Sequence, residues 1–193
     1  VLASADALGR RYRYDQPHGR HVAELSARLF DELRDEHRLG ARERLLLQVA
    51  ALLHDVGVYV SLRAHHKHSQ YLISSSQIFG LSDDETAIVS NIARYHRGGT
   101  PQRSHLPYIA LDREDRLVVD KLAAILRLAN ALDAEHLQRV RDVKVRRTDQ
   151  TWVLVLEGTG GLTMERMAAQ ARLDMLAATF GRHVVIQTAD VVA

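Results

Sequence analysis

The chain has 193 residues, with 26 lysines and arginines against 24 aspartates and glutamates for a formal charge of +2, and it contains eleven histidines but no cysteine. That length supports one sizeable core, or one domain with a small appendage, and the missing cysteines exclude thiolate metal sites, thiol nucleophiles and disulfides. No apolar run approaches the roughly 20 residues of a membrane span, and the N-terminus lacks the apolar core of a secretory signal, so a soluble, cytoplasmic protein with no membrane partner is expected.

The chain reads as if it opens partway through something larger. Residues 1–9 pattern as a helix, and Tyr12 to His18 as a connection whose Pro17 suits the first turn of the next helix. From His18, the positions Val22, Leu25, Leu29 and Leu33 recur at helical spacing towards His37 to Gly40, which puts His18 on the buried face. The helix expected over 41–56 is apolar nearly all round from Leu45 to Leu53 and belongs at the centre of a bundle. It runs into Leu52-Leu53-His54-Asp55-Val56-Gly57, where His54 stays in helical register with Leu47, Ala50 and Ala51 and so points inward.

A third helix is expected over 66–79, ended by Gly80, with His65 or His68 able to face the interior beside Leu72. Ser82-Asp-Asp-Glu85 is a capping-box pattern opening a fourth helix that carries Ile92 and His96 on one face. Gly98-Gly99-Thr-Pro101 then breaks into an irregular stretch to about residue 113. The fifth helix, 114–134, is apolar over most of its surface, and its Arg127, Asn130 and Asp133 share one side. Past residue 141 the period shortens: 143–146 and 152–156 pattern as strands about a turn at 148–150, a helix over 163–180 closes at Gly181, and 183–187 is a last strand. The expectation is a mainly α-helical bundle, 1–141, with a small β-β-α-β subdomain, 142–193, packed on it.

Three helices thus deliver a histidine to the apolar side near one end: His18, His54 and His96, with Asp55 directly after His54. A buried polar group needs a partner, and a single inward histidine ordinarily finds one in the core. A set of imidazoles and a carboxylate converging inside a bundle instead suits a divalent metal: Mn, Fe, Zn, Ni or, with more oxygen, Mg. Such an ion acidifies water and polarises a phosphoryl oxygen, which is phosphohydrolase chemistry. Lys67 among His65, His66 and His68, the pair Arg94 and Arg97 about His96, and Arg127 point to a phosphate-bearing anion. Nucleic acid fits less well, because no aromatic residues interleave the basic ones.

His18, His54-Asp55 and Leu128-Ala-Asn-Ala-Leu-Asp133 together resemble the H…HD…D signature of the HD superfamily of metal-dependent phosphohydrolases. More closely, Tyr14-Asp15-x-x-His18, Ala50-Ala-Leu-Leu-His-Asp-Val-Gly57, His65-His-Lys-His-Ser-Gln-Tyr-Leu-Ile73, Ala93-Arg-Tyr-His-Arg97 and Lys121-Leu-Ala-Ala-Ile-Leu-Arg-Leu-Ala129 look like the C-terminal HD-type region of the exopolyphosphatase / guanosine pentaphosphate phosphatase (Ppx/GppA) family, from about Tyr12 to the last strand. The resemblance implies an HD-type helical bundle in which His18, His54, Asp55 and Asn130 hold one metal, while His68 (or His65) and His96 assist a second metal or the phosphate. It further implies that Lys67, Arg94, Arg97 and Arg127 neutralise phosphoryl charge and that Asp55 orients the attacking water.

Two departures accompany it. The family's polyphosphatase chemistry belongs to N-terminal actin-like domains that nothing here matches, and the last metal-site position, ordinarily Asp, is Asn130, an uncharged oxygen donor. Two functions therefore stand side by side. One is a metal-binding phosphohydrolase-type domain acting on a phosphoanhydride or phosphoester. The other is a non-catalytic module that binds polyphosphate or nucleotide and supports homodimerisation.

Overall fold

In the computed structural model, which describes residues 1–189, apolar faces at helical period decide the architecture. The first part comprises α1 (Leu2–Arg11), α2 (Gln16–Glu32), a short α3 (Arg34–His37), α4 (Ala41–Leu53), α5 (His65–Ser74), α6 (Asp83–Arg94), a single-turn α7 (Leu106–Ile109) and α8 (Arg113–Ala131). Helix α4, with Leu46, Leu47, Val49, Ala50, Ala51, Leu52 and Leu53 all buried, lies at the centre and packs on α1, α2, α6 and α8. Gly19 lets α2 come close: a Cβ there would stand 3.2 Å from the Leu52 carbonyl oxygen and 2.8 Å from the Tyr14 ring. Such an approach brings the start of α2 beside the end of α4.

The remainder forms β1 (Val140–Arg147), β2 (Thr151–Gly158), α9 (Thr163–Gln170), α10 (Leu173–Phe180) and β3 (His183–Thr188), in a sheet of order β1-β2-β3. Strands β1 and β2 are antiparallel, with Val143 opposite Leu156 and Val145 opposite Leu154. The two helices carry the chain across to β3, which runs parallel to β2 with Val184 opposite Trp152. Strand β1 lies on α2, and α9 and α10 lie on α8, so Val143, Trp152, Leu154 and Leu176 extend the helical core without interruption. Among the described residues no helix is long and apolar enough to cross a membrane.

Several element ends differ from expectation; α8 stops at Ala131 and β1 begins at Val140, and four other differences bear on the packing. The expected helix from His18 to His37 is interrupted at Leu33, where α2 gives way to α3; the His37 ring turns back so that Nε2 donates to the Phe30 carbonyl (2.7 Å) and Nδ1 accepts from Leu39 N–H (2.9 Å). Helix α4 stops at Leu53 rather than Val56 and is followed by a 3-10 turn over Val56–Tyr59. Helix α5 stops at Ser74 and not at Phe79, because the hydroxyls of Ser74 and Ser76 donate to the carbonyls of Tyr71 (3.1 Å) and Leu72 (2.6 Å). The helix expected over 163–180 divides into α9 and α10 around Ala171 and Arg172, and each half packs on both α8 and β3.

The capping box at α6 holds as read: Ser82 Oγ accepts from Glu85 N–H, and Glu85 Oε2 accepts from Ser82 N–H at 2.9 Å. Glu85 also receives a fork of hydrogen bonds from Arg42 (2.5 and 2.6 Å), which holds its carboxyl down to about 2, with burial working against the shift. Glu85→Gln keeps the cap and removes the charge. A folded-state pKa below the unfolded one contributes stability above the unfolded value and loses it as pH falls through the folded value. Urea denaturation should therefore show the variant less stable than the wild type at pH 7, with the gap narrowing below about 4.5 and closing near 2.

Candidate metal centre

Each histidine at the centre is held by its own helix end. Asp15 caps α2, its Oδ1 accepting from His18 N–H at 3.2 Å, and Pro17 sits in the first turn, so His18 enters the core as the third residue of the helix. His54 caps the other end of α4, where the last carbonyls lack partners, and its Nδ1 lies 2.6 Å from Ala51 O. His96 repeats this just past α6, with Nδ1 2.7 Å from Ala93 O, and His65, the first residue of α5, places Nδ1 3.1 Å from Leu62 O. His18 Nδ1 instead lies 2.7 Å from Asp133 Oδ2.

A carbonyl oxygen only accepts, so in His54, His65 and His96 a hydrogen is on Nδ1, and in the neutral form of each ring Nε2 presents a bare lone pair. Asp133 does the same for His18: burial would raise this carboxyl, but hydrogen bonds from His18 and Gln138 hold it below its ordinary value, so it is an anionic acceptor. Burial, against the pull of Asp55, pushes His54 down to about 4 and keeps it neutral near pH 7.

The four lone pairs converge on Asp55. Its Oδ1 is 3.0 Å from His65 Nε2 and 3.3 Å from His96 Nε2, and its Oδ2 is 3.5 Å from His54 Nε2 and 4.0 Å from His18 Nε2. His65 Nε2 and His96 Nε2 are themselves 3.2 Å apart. Asn130 Oδ1 stands 3.1 Å from both His18 Nε2 and His54 Nε2. Asp55 Oδ1 is buried and receives no hydrogen bond. Against burial, which disfavours its charge, the Asp55 carboxyl is drawn well below the usual carboxylate range by His54, His65 and His96 where those rings carry a proton at Nε2; with neutral rings that pull is absent. Acceptors facing one another at these distances repel unless a positive species joins them. A proton on His65, whose affinity for it Asp55 raises, joins two of them; a divalent ion suits the whole set, with imidazole nitrogen and carboxylate oxygen as its donors.

Beside the cluster opens a cleft of about 310 Å³ whose wall includes Asp55, His65, Asn130, Arg97, Arg127 and Arg172. Arg127 is buried, donates from Nη1 to Gly98 O at 2.9 Å and leaves Nε without a partner. Among the described residues none of the three arginines makes an ion pair. The cleft is therefore cationic around one carboxylate, a field that attracts anions.

Residues 2–173 match the family model described as "Ppx/GppA phosphatase, domain III". This chain belongs to the Ppx/GppA phosphatase family. It is similar to proteins named "Guanosine-5'-triphosphate,3'-diphosphate pyrophosphatase": 32% identical over 93 residues to that of Pseudoalteromonas translucida, covering 48% of this chain and 19% of the relative. The corresponding protein of Vibrio vulnificus is 26% identical over 181 residues, covering 78% of this chain and 36% of the relative. That of Aeromonas hydrophila is 27% identical over 130 residues, covering 65% and 25%. The chain thus spans between a fifth and about a third of the length of these Ppx/GppA relatives.

In this Ppx/GppA domain, His18, His54, Asp55, His96 and Asn130 come together as the sequence led one to expect, and Arg97 and Arg127 line the adjoining cleft. Between the alternatives His65 and His68, it is His65 that meets Asp55, while His68 is half-buried with no hydrogen bond or ion pair to the cluster. Lys67 is exposed, and Arg94 lies over the Tyr95 ring at 5.9 Å, so neither reaches the cleft wall with Arg97. Asp133 is no ligand substitute, since its oxygens take His18 Nδ1, Gln138 N–H (2.7 Å) and Gln138 Nε2 (3.1 Å). Two contributors escaped the sequence reading. His136 stacks on His18 (3.6 Å, 7°) and lies 2.8 Å through Nδ1 from Asp15, in a turn with no periodicity to flag it. Arg172 arrives only because the helix over 163–180 breaks there.

Gly57 fixes the approach of α5. A Cβ there would lie 2.1 Å from His65 O and 2.4 Å from Ser69 N, and its own N–H donates to Ser69 Oγ at 2.9 Å. Gly57→Ala must push α5, and His65 with it, away from Asp55. Overpacking of this kind costs about 1–3 kcal/mol; denaturant titration should show that loss, and the His65 ring resonances should move while those of the distant His183 stay put.

Proposed function

We propose that this chain carries a metal-dependent phosphohydrolase-type centre of the HD kind, acting on a phosphoanhydride or phosphoester. The observation that carries this reading is the convergence of four imidazoles, each fixed by a hydrogen bond on the far ring nitrogen, upon the Asp55 carboxylate, His65 and His96 at its buried, unpartnered Oδ1 and His54 and His18 at Oδ2. His18, His54, Asp55 and Asn130 form one ligand set, and His65 and His96 with the other Asp55 oxygen form a second. Such an ion, be it Mn, Mg, Ni, Fe or Zn, supplies Lewis acidity to a phosphoryl oxygen and lowers the pKa of water.

The chain's own groups would do the rest. Arg97, Arg127 and Arg172 neutralise phosphoryl oxygens in the cleft, where few acidic groups compete for them. Asp55, held ionised, accepts a hydrogen bond from the attacking water and orients it. Residues 1–141 supply the ligands, and the later part closes the cleft with Ala168, Ala171 and Arg172. A nucleotide or polyphosphate is the class of anion proposed, in keeping with the phosphorylated guanosine in the names of the relatives.

One observation favours the alternative of a non-catalytic anion-binding module, homodimeric and serving a longer partner. Turned about its Cγ–Cβ bond, the Asn130 amide offers Nδ2 hydrogens to both His18 and His54, satisfying two ligands without any metal.

Metal analysis of protein purified without a histidine tag separates the two, combined with assays on polyphosphate, guanosine pentaphosphate and p-nitrophenyl phosphate. The expected outcome is stoichiometric divalent metal and metal-dependent turnover, with His54→Ala lowering affinity for the ion by at least about tenfold. Metal-free protein that neither takes up an ion nor turns over any of the three would exclude the centre. In the same assays the double variant Arg97→Ala, Arg172→Ala should raise KM while leaving metal content unchanged; a KM equal to wild type would remove these residues from the anion site.

A further inference from the structure

We infer that Asn130 makes this centre a selector for nitrogen-preferring divalent ions such as Zn, Ni or Fe, at the expense of Mg and Ca. This rests on the reading of the site as a metal centre and goes beyond it by naming the class of ion and the residue that sets it.

The donor inventory carries the inference. Two carboxylates lie close enough to His18 to be ligands, Asp55 and Asp133. Asp133 is buried and committed to the far side of the His18 ring and to Gln138 through both oxygens, so it brings no charge to the ion. Asn130 Oδ1 reaches the point shared by His18 Nε2 and His54 Nε2 at 3.1 Å from each, but it is a neutral oxygen. What remains is five imidazoles, with His136 counted beside His18 and Asp55, a single carboxylate and one amide.

Hard cations are held by oxygen, and their affinity rises with the number of charged ligands. Imidazole donors favour Zn, Ni, Cu and Fe. A carboxylate at position 130 would bring a second negative charge to the ion, so the amide removes the donor that Mg and Ca need most and leaves the nitrogens intact. The general affinity order of divalent ions also places Zn and Ni above Mg, which means that the wild-type ranking alone does not identify Asn130 as its source. The decisive quantity is the change in the Mg-to-Zn ratio when the amide is replaced by a carboxylate of the same shape.

The test is calorimetric titration of metal-free protein with Zn, Ni, Mn and Mg chlorides, for the wild type and Asn130→Asp, with circular dichroism to establish that both fold. The wild type should bind Zn or Ni and show little or no uptake of Mg. In the variant the Mg affinity should rise so that the Mg-to-Zn dissociation-constant ratio falls by about tenfold or more. Should Asn130→Asp fail to fold, Asn130→Ala takes its place: it should weaken Zn without improving Mg. Equal gains for Zn and Mg in the Asp variant, leaving the ratio where it was, would overturn the inference. So would a wild type that takes up no ion while Asn130→Asp does, because the amide would then be plugging the site through Nδ2. If neither protein binds any ion and His54→Ala behaves as they do, the metal centre itself is refuted, and selectivity falls with it.

Discussion

A neutral imidazole has one hydrogen and one lone pair, and a hydrogen bond at one ring nitrogen decides what the other can offer. In this chain that decision is made three times by the same local device, a ring folding back onto the carbonyl three residues earlier, at Ala51, Leu62 and Ala93. A fourth ring, His18, is set by Asp133. The rest of the centre depends on these bonds. Without them the rings could turn a hydrogen inward and pair off among themselves, and the cluster would be an ordinary satisfied set of buried histidines. With them, acceptors face acceptors around Asp55, a repulsion that a proton or a cation among them would relieve.

The fold was legible wherever one periodicity ruled a segment. Helix α4 is apolar nearly all round and does occupy the centre; the change of period marks the sheet to within a few residues of its start at Val140, and its three strands follow from Gly181 and the alternation on either side of 148–150, with two helices where one was expected. Ends were less legible, since helix ends are fixed by single side chains competing for carbonyls. The serines after Tyr71 and the ring of His37 act at a range where periodicity carries no information. The division of the last helix is different again. Its sequence is a continuous helical pattern, and packing of both halves between α8 and β3 is a tertiary demand that no local pattern records.

For the site, the sequence was strongest where burial and position coincided. His18, His54 and His96 were found because each lies in register with aliphatic neighbours near a helix end, and Asp55 because it follows His54 directly. His65 and His68 are one turn apart, so helical spacing left them equivalent; the near-contact of Gly57 with the backbone of α5 is what makes His65 the inner one. Lys67 and Arg94 sit beside the cluster's histidines in sequence, but helical geometry turns neighbours by about 100° and sends them elsewhere. Arg172 and His136 come from a helix break and a turn, and both are products of the tertiary structure alone.

Asp133 ties these observations together. One carboxylate, buried at the end of α8, fixes the ring of His18 on one side and accepts two hydrogen bonds from Gln138 on the other, bridging a turn in which His136 and Gln138 both adopt the left-handed backbone region. The turn from 133 to 138 is also where the chain leaves the helices for the sheet. The orientation of an inner imidazole and the path of the chain into β1 are therefore settled by the same pair of oxygens. The start of the sheet and the set of the His18 ring thus share one anchor, a single buried carboxylate whose loss would release both at once.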